Sequence, residues 1–197
     1  VGSEMCIRDS SYIMTGCPGT SLIASAFQKG MLTKVDPRKA YRHMVNNHRG
    51  GGMMGTPEEI DYYEKHGYIP GNAGITLEAA FQDWALSEMA AALGKKKDAA
   101  RYLRRASGWT ALFNPAIGLV MPKDGNGAWL HNNPLDGWGW VESNAWQATW
   151  SVSHQLDRLA DMMGGRDSMA AKLDHAFRMA SGENFLSGYS NGYISYA

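Results

Sequence analysis

Apolar side chains recur every three or four residues along most of this chain, the period of helices with one face in a core. The first such segment spans about Gly19 to Lys29, with Leu22, Ile23, Ala26 and Phe27 on one side. Asp36-Pro37 then pairs an N-cap with proline at the first helical position. The helix behind it places Ala40, Tyr41, Met44, Val45 and His48 on one face, and Gly50-Gly51-Gly52 stops it. Thr56-Pro57-Glu58-Glu59 reads as a capping box that opens a short helix through Ile60, Tyr63 and Glu64 to Gly67. The fourth helix is expected from about Thr76 to Leu93, ended by Gly94. The fifth carries Tyr102, Leu103, Ala106, Trp109 and Phe113, and Asn114-Pro115 closes it. The sixth is expected as one continuous helix from Ser143 or Asn144, stepping through Ala145, Thr149, Val152, Leu156, Leu159 and Met163 to Gly164-Gly165. Met169, Leu173, Ala176, Phe177 and Ala180 mark a seventh. The only strand candidate is Gly118-Leu119-Val120-Met121, between Pro115 and Pro122, which predicts at most a short hairpin.

Short turns at Gly30, Gly94 and Gly165 join these helices into αα-hairpins. Their coarse, inexact recurrence predicts a ring of helix pairs rather than a strict solenoid. In such a ring the long connections gather on one face, where function belongs. The longest runs from Asn114 to Glu142 and contains Trp129, Trp138 and Trp140. Connections of that length are functional or disordered, and tryptophans argue against disorder.

Composition narrows the function classes. Lys+Arg and Asp+Glu both number 19, so this 197-residue chain has no net charge and lacks the basic excess that nucleic acid demands. Charged residues are 19% and aromatics 11%, with 7 Trp, a balance that suits a neutral ligand such as a sugar. The 2 cysteines and 6 histidines form no zinc spacing or disulfide framework. No apolar run reaches the length of a membrane span. Residues 1–10 continue no downstream pattern and read as an adapter-derived leader, which leaves residues 11–197 as one incomplete domain.

Glu142 stands at the entrance to the sixth helix among Trp138, Trp140 and Trp146. Apolar rings disfavour a charged carboxylate, so such a placement suits a proton donor, and ring faces suit the C–H surfaces of sugars. A plain helix-start charge is the alternative reading. Trp146 and Trp150 lie one turn apart, where core packing is the default, while Trp138 and Trp140 sit between loop glycines, where sugar contact is as reasonable. Gln147 and His154 would share a face of the continuous sixth helix, and Asp83 is expected to pair with a buried donor.

The run Glu142-Ser143-Asn144-Ala145-Trp146-Gln147-Ala148-Thr149-Trp150 resembles the signature of glycoside hydrolase family 92, the calcium-dependent exo-acting α-mannosidases. Gly67-Tyr68-Ile69-Pro70, Thr76-Leu77-Glu78 with Asp83-Trp84, Leu112-Phe113-Asn114-Pro115 and Met162-Met163-Gly164-Gly165 agree with it in order. The resemblance implies an all-α fold, a partial (α/α)6 toroid. It implies hydrolysis of terminal α-mannosides on mannose-containing glycans with inversion, Glu142 as general acid, and a secreted or periplasmic bacterial setting. It also implies a Ca2+ ion that holds sugar hydroxyls, with Asn144 and Gln147 as candidate ligands and Trp138, Trp140, Trp146 and Asn144 as candidate sugar contacts. Ser143 and Ala148 depart from the family's frequent glycine and tyrosine. An inverting reaction needs a second carboxylate roughly 6.5–9.5 Å from the first. The resemblance puts it C-terminal to the Tyr189-Ser190-Asn191-Gly192 region, and puts a β-sandwich domain on the N-terminal side. The chain is therefore expected to be a fragment, inactive and poorly soluble alone. Another (α/α)6 glycosidase, or a non-catalytic carbohydrate-binding fragment, are the competing expectations.

Overall fold

The computed structural model describes residues 16–52, 54–183 and 192–194; the leader expected at 1–10 and the positions 189–191 fall outside them. Helices α1 (Pro18–Gln28), α2 (Pro37–Asn47), α3 (Pro57–His66), α4 (Ala73–Ala92) and α5 (Lys96–Ala106) come first. Strands β1 (Phe113–Asn114) and β2 (Leu119–Val120) form an antiparallel pair, with Phe113 opposite Val120. Helices α6 (Ala145–Ala148), α7 (Leu156–Met162) and α8 (Arg166–Met179) follow. The expected all-α class with one small hairpin holds.

The described residues fall into two compact units: those up to Gly67 together with 78–108, and 68–77 together with those from Trp109 onward. In the first, Ala40, Tyr41 and Met44 of α2 and Leu86, Met89 and Ala90 of α4 join Ala24 and Tyr102 in one core. The caps act as the sequence predicts. Asp36 accepts the N–H of Arg38, and Thr56 with Glu59 completes the capping box of α3. Gly67 closes α3 in the left-handed region at φ 83°, and a side chain there would run into the backbone of Gly108.

Polar residues build a second layer of that core. Asp83 accepts from Arg105 Nε at 2.8 Å and lies 3.0 Å from His48 Nδ1, while His48 Nε2 lies 3.1 Å from Thr20 Oγ1. Arg105 also donates to the His48 carbonyl and to Glu64, and packs over the rings of Tyr63 and Tyr102. Asp83 is thus the structural pair that its mid-helix position suggests, and its two partners come from α5 and from the C-cap of α2.

Two helices differ from expectation. Helix α4 begins at Ala73, three residues early, because Asn72 accepts the N–H of Ile75 and acts as the cap. The fifth helix stops at Ala106, and Trp109 falls in a 3-10 turn, Gly108–Leu112, before β1. The larger departure is the sixth. It is a short α6, two 3-10 turns (Thr149–Ser151 and Ser153–Gln155), then α7. Thr149 Oγ1 accepts the N–H of Val120 in β2 and donates to Ala145 O, and Gln155 accepts from Trp109 Nε1. These bonds to the hairpin segment break a helix that already holds β-branched Thr149 and Val152. Gln147 and His154 therefore do not share a helical face.

Candidate functional site

The site lies in the second unit, where the long loop meets α6. The loop is ordered by its own polar groups. Asp124 Oδ1 accepts from the N–H groups of Asn126 and Ala128, and Tyr68 donates its hydroxyl to Asp124 O. Lys123 donates to Ala111 O and stands 4.2 Å from the Trp129 ring centroid, and burial lowers its pKa. Gly139 has φ 88° and packs on Pro122, where any side chain would collide at 2.6 Å. Its carbonyl accepts the N–H of Ala73, the first residue of α4.

Glu142 is the only described non-glycine residue with a positive φ, at 51°. Such backbone costs an L-residue energy and clusters at functional sites. Its side chain is exposed. Of the neighbouring tryptophans, Trp140 and Trp146 are buried, at 9% and 7%, and Trp138 is 69% exposed. The exposure of Trp138 comes with a fixed backbone. Its N–H donates to Asp136, and His131 Nε2 lies 2.9 Å from its carbonyl oxygen. An exposed flat ring on an anchored loop is a surface on which a sugar can pack. Trp140 instead sits in the interior, with an indole N–H that finds no acceptor among the described residues.

Trp146 belongs to an aromatic cluster. Its ring lies 5.5 Å from that of His175 and 5.0 Å from that of Tyr193, and Lys172 Nζ stands 5.0 Å from its centroid. Lys172 also donates to Ile117 O, and burial lowers its pKa. Trp146 is packed by these contacts to 7% exposure. Asn144 is fully buried; its side chain caps α6 by accepting the Gln147 N–H at 3.2 Å. The amides of Asn144 and Gln147 both donate to the carbonyl of Gly192, at 2.9 and 3.2 Å. Gly192 thus brings distant chain onto the signature, a contact that no spacing in the sequence signals.

Neutral amide oxygens are donors that calcium accepts. Gln147 fits by donor type, with a buried Oε1. Asn144 fits less well, because its oxygen already accepts the backbone N–H that it caps. No group of three or more His, Cys, Asp or Glu side chains is arranged around a common point among the described residues.

A second constellation that sequence reasoning missed is Thr20–His48–Asp83, hydrogen-bonded in the order of a hydrolytic triad. None of the three is more than 1% exposed, so no substrate bond reaches the Thr20 hydroxyl and the network is structural.

Comparison with known proteins adds four findings. The family model for the glycosyl hydrolase family 92 catalytic domain matches residues 5–196. An inverting mannosidase of that family from Bacteroides thetaiotaomicron superposes with a TM-score of 0.76 at 30% identity, over 89% of this chain and 25% of that one. An α-mannosidase from the same organism, in complex with mannoimidazole, gives a TM-score of 0.77 at 22% identity, over 87% and 24%. Among curated sequences, an uncharacterized secreted glycosidase from Arthroderma benhamiae is 22% identical over 83% of this chain and 26% of its own length. The chain spans about a quarter of the length of these relatives, and its fold class is that of the two solved structures.

Proposed function

This chain belongs to glycosyl hydrolase family 92, and from that premise we propose that it carries the general-acid half of an inverting exo-α-mannosidase site. Glu142 is the acid. The observation that carries this reading is its backbone: a strained carboxylate residue, φ 51°, exposed at the junction of the long loop and α6. An exposed carboxyl can reach the glycosidic oxygen of a bound sugar and give it a proton as the bond breaks. Trp138, anchored through Asp136 and His131, offers the ring for the sugar face. Asn144 fixes where α6 starts and hence where Glu142 stands, two residues earlier.

Calcium, when bound, would polarise sugar hydroxyls, with Gln147 as the candidate ligand in this chain. The carboxylate that activates water from the opposite face is assigned to no residue here, so the 197 residues alone are proposed to be inactive. The name of the fungal relative supports an extracellular setting for the parent enzyme.

The test uses the full-length parent. Glu142→Gln is expected to bind mannosides normally but to lose about 10²–10⁴-fold in kcat on substrates with poor leaving groups. Substrates with activated leaving groups should lose far less, because they need no proton. Equal kcat in wild type and variant on a natural mannoside removes the assignment. Chelation followed by calcium repletion tests the metal: full activity in excess chelator sinks that part alone.

A further inference from the structure

The first unit carries a groove with no part in the reaction proposed above. Its volume is about 340 Å³, and its walls include Tyr41, Arg42, His43, Arg49, Lys95 and Asp98. The chain has no net charge, yet between Asp36 and Glu58 there is no acidic residue, while Arg38, Lys39, Arg42 and Arg49 are all there. Charge is therefore segregated onto α2 and the turn after it. Among the described residues most other arginines have carboxylate partners: Arg101 with Glu64, Arg105 with Asp83 and Glu64, Arg166 with Asp157, Arg178 with Asp174. Arg38, Arg104 and Arg158 make no ion pair among the described residues, and the groove cations join them. Arg42, Arg49 and Lys95 make no ion pair among the described residues. Lys95 Nζ stands 5.4 Å from the centroid of the Tyr41 ring. The groove's carboxylate, Asp98, accepts the Tyr41 hydroxyl at 2.9 Å. Three cations face one carboxylate that already has a donor.

The geometry points to a binding site for a tetrahedral oxyanion, carried as a phosphate or sulfate ester. Two guanidinium forks and one ammonium exceed what a single carboxylate ligand needs, and a doubly charged phosphate or a sulfate offers the further oxygens to accept from them. The volume lies at the small end of ligand pockets and holds an ester with the sugar-sized group that bears it. This site is independent of the mannosidase reading, because it shares no residue with it.

The experiment is calorimetric titration of the chain at constant ionic strength with inorganic phosphate, inorganic sulfate and a hexose 6-phosphate, with the neutral hexose as control. Saturable one-site binding of an oxyanion is expected, with none for the neutral sugar. Preference for phosphate that grows with its second ionisation identifies phosphate esters as the source; equal binding of sulfate across that pH range identifies sulfate esters. Arg42→Gln, Arg49→Gln and Lys95→Gln should each weaken binding about three- to tenfold. Arg166→Gln, on the second unit, should leave it unchanged. In the unsubstituted protein, the Nε–Hε resonances of Arg42 and Arg49 should shift on titration, a readout that needs no variant to fold. No saturable binding, equal affinity in the groove variants, or shifts confined to other arginines overturns the proposal. Binding that strengthens only with the length of an added oligonucleotide overturns it too.

Discussion

Glu142 joins a conformation that disfavours side chains to a carboxyl placed where the long loop ends. Glycine at this position relieves the left-handed strain, while alanine keeps it. Glu142→Gly is therefore expected to be more stable than Glu142→Ala by about 1 kcal/mol. Urea unfolding of both variants checks this, and equal midpoints would show that the backbone is unstrained. Both should be as inactive as Glu142→Gln in the parent enzyme. At this scale the signature named the residue, because a carboxylate beside a helix cap is visible in the letters. Its φ was not visible, since the loop's hydrogen bonds and the Asn144 cap set it together. The tryptophans show the same division. Trp138, Trp140 and Trp146 look alike as letters, but Pro122 packing on Gly139 and Tyr193 packing on Trp146 separate an exposed ring from two buried ones.

Helices α2, α4 and α5 are tied by Asp83 and Arg105 as much as by apolar packing. Asp83→Ala takes the buried carboxylate away from Arg105 Nε and His48 and is expected to cost about 3–5 kcal/mol. Replacing both members, Asp83→Leu with Arg105→Met, should recover most of that loss, because paired removal leaves no buried charge. Chemical denaturation of the three proteins decides it; a double variant no better than the single one would show that the network has further roles. The capping box of α3 is a smaller contribution: Thr56→Ala should cost about 1 kcal/mol by the same measurement. Caps of this kind are legible because donor and acceptor lie within four residues. The sixth helix departs from its apolar spacing for the opposite reason. Its apolar spacing is helical throughout, but Thr149 and Gln155 take partners on β2 and at Trp109, far along the chain.

Across the whole molecule, pH and exposed apolar surface set behaviour. Tyr41, Tyr63 and Tyr102 are held above their ordinary 10.0, mainly by burial, with Asp98 adding to the effect on Tyr41 and Asp83 to that on Tyr63. The unfolded chain releases these protons first, so stability should fall as pH rises above about 10, by about 1.4 kcal/mol per pH unit for each tyrosine. Lys123 and Lys172, lowered from 10.5, act in the opposite sense just below that value. Tyr102→Phe should make the alkaline fall shallower in denaturation series at several pH values; an unchanged slope would remove this tyrosine from the account. Leu22, Met31 and Phe177 are more than 60% exposed on a chain with pI ≈ 7.2, which favours association near neutral pH. Leu22→Lys with Phe177→Lys should raise the soluble fraction near pH 7 without lowering the unfolding midpoint; unchanged solubility would place the association elsewhere. What the sequence by itself determined were the features written in short-range spacing: the all-α class, the helix caps, the long tryptophan-bearing loop and the signature with Glu142. Tertiary structure alone decided the broken sixth helix, the buried Thr20–His48–Asp83–Arg105 network, the docking of Gly192 on Asn144 and Gln147, and the basic groove beside α2. Each depends on groups distant in the chain meeting in space, and local periodicity carries no record of such meetings.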